Sequence, residues 1–449
     1  MNNYAKLLRE KKKKIGVWGA GYIGYSTMAH YAHRGVVCLA LDVVPEKVEA
    51  VNRGELAVVG LQEWLGIDVK PMVQNGLIAA TLDVRRMLQD DVLVHFLAIP
   101  TEKDGKPYLK YLEEVIGRLS QLETRDSACP PLIIVESTLV PGTTDKLVIP
   151  VLESKGLKVG RDVLIGIAPR RDWFVDNTKS LADLDRVYGG CNEAATQAMK
   201  EVLGIVCSRL HSATNHRSVE IVKSVENAYR HVEITLANQL SLAYPNSDLR
   251  EALRLVGTKW NIGTFYPGFG SGGYCIPLSS QYVLAGAERP EELTILSNTV
   301  RTDTEINRRI AQSIIQRGYR SVGILGLSYK ANLKVSILSP TLPFTEELRR
   351  AGVVAKICDP FYSDDEIRRL AQVDSFAFPA GLEEFDAIVA VVDHRQFREG
   401  TPLVLGHMKK VKFLLDNMGM WRELTDDFSR RNIEYHVAGD ANWLEPKTK

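Results

Sequence analysis

Short apolar runs that end in small or acidic residues recur along the 449-residue chain, in two groups separated by a stretch of different texture. The first group includes "IGVWGA", "VVCLALD", "DVLVHFLAIPT", "PLIIVESTLVPGTT" and, as a sixth strand, "DVLIGIAP". Near-continuous apolar runs of this length read as strands buried on both faces of a parallel sheet. From about Ser212 the period changes. In "TNHRSVEIVKSVENAYRHVEITLANQLSLAY" apolar residues recur every three or four positions with no Gly or Pro before Pro245, which predicts one long helix. A glycine loop, "GFGSGGYCIPLSS", and a further helical stretch lead into the second group: "RSVGILGLSYKANLKVSILSP", "GVVAKICDP", "FDAIVAVVDH" and "VKFLLDNMGMW". The pattern predicts an α/β chain of two Rossmann-like, doubly wound domains joined by a long central helix in a small helical domain. The expected boundaries are 1–211, 212–307 and 308–449, with a cofactor in one α/β domain, a second ligand in the other and chemistry between them.

The first run carries a more specific signal. Gly19, Gly21 and Gly24, with Tyr22 and Ile23 between the last two, fit G-x-G-x-x-G at a strand-to-helix turn, and Asp42 closes the next strand. Gly19 suits the tight turn, Gly21 lets a pyrophosphate approach the backbone, and Gly24 allows the helix to pack on the strand. Asp42 is expected to bind the adenosine ribose diol and to repel a 2′-phosphate, which favours NAD over NADP. The other strands of the group open their C-terminal ends to the same crevice. Pro100, Thr101, Ser137 and Thr138 therefore become candidate cofactor or substrate contacts, with helix capping as the bland alternative for the hydroxyls.

Composition excludes more than it proposes. A formal charge of +1 gives no electrostatic case for nucleic acid. No apolar run reaches the ~18 residues of a membrane span, and the N-terminus lacks the apolar core of a signal peptide, so a cytoplasmic location is expected. The "KKKK" run at Lys11 to Lys14 reads as the solvated beginning of a strand. Six cysteines are scattered without a C-x-x-C pair, so neither a metal site nor a disulfide framework is expected, and Cys275 in the glycine loop reads as a free thiol.

Taken in order, "GVWGAGYIG", "AIPT", "ESTLVPGTT", "KSVENA", "GFGSGGYCIP", "GLSYKANLKVSILSP" and the "DP" at Asp359 resemble the UDP-glucose/GDP-mannose dehydrogenase family along nearly the whole chain. The resemblance implies two successive NAD-dependent oxidations of a sugar C6 alcohol, through an aldehyde and a cysteine thioester. Cys275 would be the nucleophile. Lys223 and Asn227, four apart on the long helix, would stabilise the oxyanion or move a proton, and Thr138 would position water. Lys330 would contact cofactor and substrate. Arg170, Tyr266, Gly268, Phe269, Gly272, Gly273 and Tyr329 would help hold a nucleotide-linked substrate. The loop glycines are expected to clear space for a sugar, and the long helix to form a homodimer.

Three departures bear on the chemistry. The family's aspartate four positions after the cysteine is Ser279 here, its "P-E" glutamate is Arg170, and both acids and the arginine of its C-terminal motif give way to Lys334, Val335 and Ile337. Arginine stays protonated and cannot act as a base. The leading expectation is an NAD-dependent oxidation of a primary alcohol that stops at the aldehyde or the thioester. The alternatives are an ordinary four-electron dehydrogenase giving a uronate, with Asp172 or Ser279 as replacement groups, and a silent nucleotide-binding paralogue.

Overall fold

The first group of apolar runs forms one eight-stranded sheet. Its strands are β1 (Lys14–Trp18), β2 (Cys38–Leu41), β3 (Ile78–Thr81), β4 (Val92–Leu97), β5 (Leu132–Val135), β6 (Leu164–Ile167), β7 (Arg186–Gly190) and β8 (Leu210–Ser212). They lie in the order β8-β7-β6-β5-β4-β1-β2-β3, parallel throughout except for the antiparallel β6–β7 pair. In the computed structural model, which describes residues 3–55, 61–122, 129–172 and 180–445, this sheet belongs to a first unit of residues 1–226 with 285–288. Neighbouring strand residues serve opposite cores: Val17, Phe96 and Ile134 pack on one face with Met28 of helix α1 (Tyr22–His33), and Trp18, Leu97 and Ile133 on the other. Burial on both faces explains why the strands read as unbroken apolar runs.

The second unit, residues 227–284 with 289–449, holds the second sheet. Strands β9 (Ser321–Leu325), β10 (Val354–Cys358), β11 (Asp374–Ser375), β12 (Ala387–Ala390), β13 (Phe413–Asp416) and β14 (Glu434–Val437) lie in the order β11-β10-β9-β12-β13-β14, all parallel. Both sheets thus share the 3-2-1-4-5-6 permutation of the dinucleotide fold, with its crevice where the order reverses beside the first strand. The long helix is present as α2 (His216–Ala243), 28 residues. Its residues to Glu226 belong to the first unit and those from Asn227 to the second. Helices α3 (Ile276–Gly286) and α4 (Thr294–Gln316) follow the glycine loop, and α5 (Thr341–Arg350) follows β9. The fold class is as the sequence implied. Among the described residues no helix is long and apolar enough to cross a membrane, and no cluster of His, Cys, Asp and Glu could hold a metal ion.

Candidate active site

At the end of β1, Gly19 has φ +96°, and a Cβ there would lie 2.5 Å from the Ala98 carbonyl oxygen. A Cβ on Gly24 would sit 1.8 Å from the Gly19 oxygen, so the first turn of α1 packs directly on the β1 turn. Gly21 is different: its missing Cβ faces no atom within 4 Å. Open space ahead of a helix N-terminus, lined by backbone amides, fits a pyrophosphate. Tyr22 and Ile23 stand half-buried in that first turn. Asp42 accepts the Ala20 amide at 2.8 Å through Oδ2 and the Val44 amide at 3.0 Å through Oδ1. Each carboxylate oxygen keeps a second lone pair, which suits the two hydroxyls of a ribose.

On the rim, Pro100 is exposed, but the hydroxyls beside it work within the protein. Thr101 donates to the Thr138 carbonyl at 2.6 Å, and Ser137 donates to the Ile99 carbonyl at 2.7 Å while accepting the Ile99 amide at 3.0 Å. These bonds stitch the loops after β4 and β5 together and cap no helix. The Thr138 side chain is half-buried.

Arg170, expected at the substrate, turns inward instead. Its Nε donates to Asp172 at 2.8 Å, Nη1 to Thr27 at 2.6 Å and to the Ile23 carbonyl at 3.3 Å, and Nη2 to Ser26 at 2.9 Å and to the second Asp172 oxygen. These five acceptors match the five N–H groups of a guanidinium, and the side chain is only 2% exposed. The residue therefore pins the first turn of α1 and has no donor left for a ligand. The same pair answers for Asp172. Its carboxyl is held below the usual range by Arg170, which outweighs the opposing effect of burial, and a carboxylate so engaged is a poor base. Trp173 and Phe174, which follow Asp172, lie outside the described residues. Glu136, not singled out from sequence, is buried and accepts from Thr27 and from Arg186, both at 2.6 Å. Lys223 lies 3.0 Å from Glu226, which also accepts from Arg171 at 3.0 Å.

In the second unit the glycine loop is fastened at three points. The Gly268 amide donates to Asn238 at 2.8 Å, the Ser271 amide to Asp303 at 3.0 Å, and the Gly273 amide to the Ile337 carbonyl at 3.0 Å. The loop then delivers Cys275 to the N-terminal end of α3, where helix amides favour negative charge. Cys275 is exposed, whereas Cys38, Cys129 and Cys207 are buried. Burial pushes the half-buried Cys191 and Cys358 thiols up to about 12. The glycines serve the loop's own packing: Cβ atoms at Gly268, Gly270 and Gly272 would lie 2.5 Å from Asn417, 2.7 Å from Asp303 and 2.5 Å from Tyr329, and one at Gly273 would lie 2.6 Å from the Tyr329 ring. The expectation that they clear room for a sugar is corrected accordingly. Phe269, expected at the substrate, is buried edge-on against Phe344, whereas Tyr266 is exposed with Arg250 4.6 Å above its ring. Burial, with Arg230 nearby, lowers the Lys330 pKa below the usual lysine value.

Asn227 donates its amide to Ser279 at 3.1 Å, so the residue expected to bind the reacting oxygen holds the serine read from sequence as a departure from the family's pattern. His231, Asn238 and Asp303, missed from sequence, are buried polar residues around this loop. Asn227, His231 and Asn238 recur at spacings of four and seven on α2, a polar line on a buried stripe that the sequence carries openly.

Comparison with known proteins assigns the chain. Residues 13–205 match the NAD binding domain of the UDP-glucose/GDP-mannose dehydrogenase family, residues 217–309 its central domain, and residues 323–423 its UDP binding domain. The chain is 27% identical to a UDP-N-acetyl-D-mannosamine dehydrogenase of Pyrococcus horikoshii over 94% of its own length and 99% of the relative's. It is 26% identical to the protein of the same name from Escherichia coli K12, over 91% and 99%. The solved P. horikoshii structure superposes with a TM-score of 0.83 at 25% identity, covering 96% of this chain and all of that one. A UDP-glucose dehydrogenase from Pyrobaculum islandicum, 22% identical and covering 92% and 96%, shares the fold with a TM-score of 0.79. With cradle, glycine loop and all three domain matches in place, the chain belongs to the UDP-glucose/GDP-mannose dehydrogenase family, NAD-dependent oxidoreductases that act on CH–OH groups of nucleotide sugars.

Proposed function

We propose that the protein oxidises the C6 primary alcohol of a UDP-linked sugar, with UDP-N-acetyl-D-mannosamine the first candidate on the strength of its relatives' names, and that Cys275 is the covalent nucleophile. The observation that carries this is the exposed thiol at the head of α3, on a loop whose backbone is tied at three places. NAD, when bound, takes up one hydride at each oxidation. The first oxidation converts alcohol to aldehyde. The Cys275 thiolate then adds to the aldehyde carbon and the resulting alkoxide gains a proton; loss of hydride from that carbon together with loss of that hydroxyl proton leaves a thioester. Lys223, held by Glu226, and Asn227 are proposed to steady the oxyanion, and Thr138 to position water. Gly19, Gly21, Gly24 and Asp42 are proposed to hold the dinucleotide, and Tyr329 and Lys330 to meet the nucleotide sugar.

The hydrolytic half is the altered part of this reading. Arg170 and Ser279 stand where the family's pattern, as read from sequence, implies acids; Arg170 occupies Asp172, and Ser279 is bound to Asn227. General-base help is typically worth about 10²–10⁴-fold, so thioester hydrolysis becomes the slow step and acyl-Cys275 accumulates. Mass spectrometry after one turnover should find the acyl adduct on Cys275, with more than two NADH formed per free acid released. Two NADH per free acid with no adduct would return the protein to the ordinary four-electron reaction.

We also propose a homodimer through α2, supported by Tyr229 and Leu236, exposed seven residues apart on the helix, and by Tyr244, exposed just past its end. The three matched segments support reading residues 1–211, 212–307 and 308–449 as cofactor, central and nucleotide-substrate domains.

A further inference from the structure

Behind the cysteine loop lies a chain of buried polar groups that the proposed chemistry leaves unused. His231, fully buried on α2 one turn after Asn227, has Nδ1 2.8 Å from the Ser280 hydroxyl. Its Nε2 lies 3.1 Å from Asp303 Oδ2 and 3.4 Å from the Ser271 hydroxyl. Asp303, on α4, accepts the Ser271 amide at 3.0 Å through Oδ1 and the Ser271 hydroxyl at 2.5 Å through Oδ2. A carboxylate only accepts, so Nε2 carries the ring proton, and Nδ1 accepts from Ser280.

Hydroxyl, imidazole and carboxylate in series also describe a nucleophilic triad. Ser280, however, is fully buried within α3, so its hydroxyl has no access to a substrate. The chain instead joins Ser271, which precedes Cys275, to Ser280, on its C-terminal side. Gly270 lies in the same grip: its φ of +89° and the 2.7 Å approach of Asp303 to its Cβ position leave the backbone little choice of path. Asn227 holds Ser279 beside it. The Ser-Ser pair that replaces the usual acid region is thus bound by two residues one turn apart on α2.

We propose that His231 and Asp303 are positioning residues that fix Cys275 at the head of α3 by clasping both flanks of its turn. The catalytic consequence rests on Cys275 being the nucleophile; the clasp itself can be read without turnover. With both flanks tied, the sulfur stays at the amide-rich end of α3. With the clasp cut, the turn drifts and the thiolate loses that support.

The test uses the full chain and three variants, His231→Phe, Asp303→Asn and the double variant, with Cys275→Ser as reference. In the NAD-free protein, alkylation of Cys275 by iodoacetamide, followed by peptide mass spectrometry, should slow by about two- to fivefold, the worth of a helix terminus. The rate at half-buried Cys191 should not change. With NAD and UDP-N-acetyl-D-mannosamine, kcat should fall by about 10²-fold, the usual consequence of a misplaced reacting group. KM for NAD should hold, and the double variant should be no worse than the poorer single one. A merely structural role would instead lower Tm and leave alkylation and kcat per folded molecule unchanged, and that result would overturn the proposal. Should His231→Phe fail to fold, the near-isosteric Asp303→Asn decides alone. A Cys275→Ser variant as fast as the parent would sink the nucleophile reading and leave the alkylation result standing.

Discussion

The two α/β units use one device to opposite ends. In the first, the Gly19 amide donates to the Leu41 carbonyl at 2.8 Å; in the second, the Gly326 amide donates to the Cys358 carbonyl at 2.8 Å. Both glycines have strongly positive φ, +96° and +104°. In both, the aspartate after the second strand accepts amides from the turn after the first: Asp42 from Ala20, and Asp359 from Leu327 and Ser328 at 2.8 and 2.9 Å. Each also accepts the amide two residues on, from Val44 and Phe361. The units diverge just past the turn. After Gly19 comes Gly21, open to solvent space, and α1 begins at once. Two places past Gly326 stands Ser328, fully buried; α5 begins only at Thr341, and His394 covers Asp359 at 3.2 Å with both side chains fully buried. The same acid therefore keeps free lone pairs beside an open turn in one unit and is a sealed structural anion in the other. A binding turn is separated from a structural one by the residue two places past the first glycine and by the lid on the acid.

Removing the sealed anion should have the largest effect. Asp359→Ala strands three amides and the His394 ring N–H, and each buried donor left without a partner costs about 1–3 kcal/mol; denaturant unfolding should show this loss in the second unit, with NAD affinity in the first unit unchanged. Acid should separate the units next. Burial holds His30 down to about 4 and His95 down to about 3 in the first unit, so both fold as neutral rings. Because the unfolded chain takes up protons at higher pH than the fold, stability falls as pH drops from about 6.5 toward 4, by about 1.4 kcal/mol per pH unit for each such group. Asp359 is held below its usual carboxylate value by His394 and backbone amides against the opposing pull of burial, so its contribution persists down to about pH 4 and is lost only below that. Hydrogen exchange at pH 5 should show the first unit loosening while the second stays protected; simultaneous loosening would contradict the contrast.

Gly326→Ala places a methyl group 2.6 Å from the Val392 Cβ in a left-handed backbone and should cost about 1–3 kcal/mol by thermal unfolding. Asp42→Asn removes the charge and one of the two acceptors that hold the turn, and the NAD-to-NADP affinity ratio should move toward NADP by about tenfold, a change worth about 1.4 kcal/mol by titration calorimetry. Gly21→Ala is the mildest for the fold: with open space at its Cβ, stability should stay within about 0.5 kcal/mol, while NAD binding weakens.

The parts legible in sequence were those with local signatures. Unbroken apolar runs ending in Asp42 or Asp359 marked both sheets, and the three-and-four spacing from Ser212 marked α2, because burial on two faces or on one stripe leaves its period in the chain. The orientation of single side chains was not legible. Arg170 sits at a strand end where a rim residue belongs, yet Ser26 and Thr27, far away in sequence, draw it inward. The loop glycines advertised freedom, but whether a missing Cβ faces a ligand or Tyr329 is decided by tertiary packing. His231 was passed over because polar helix residues mostly face water, and only the partners Ser280 and Asp303 make it a buried link.

The bonds around Arg170 have a practical meaning for redesign. They tie the first turn of α1 to Arg170 through side-chain and carbonyl acceptors of the protein itself, so a pyrophosphate held there, as proposed, would meet aligned donors with little chain ordering left to accompany association. Attempts to change coenzyme preference should therefore edit the tip of β2 and spare this arginine, which acts as the keystone of a ready-made docking bay.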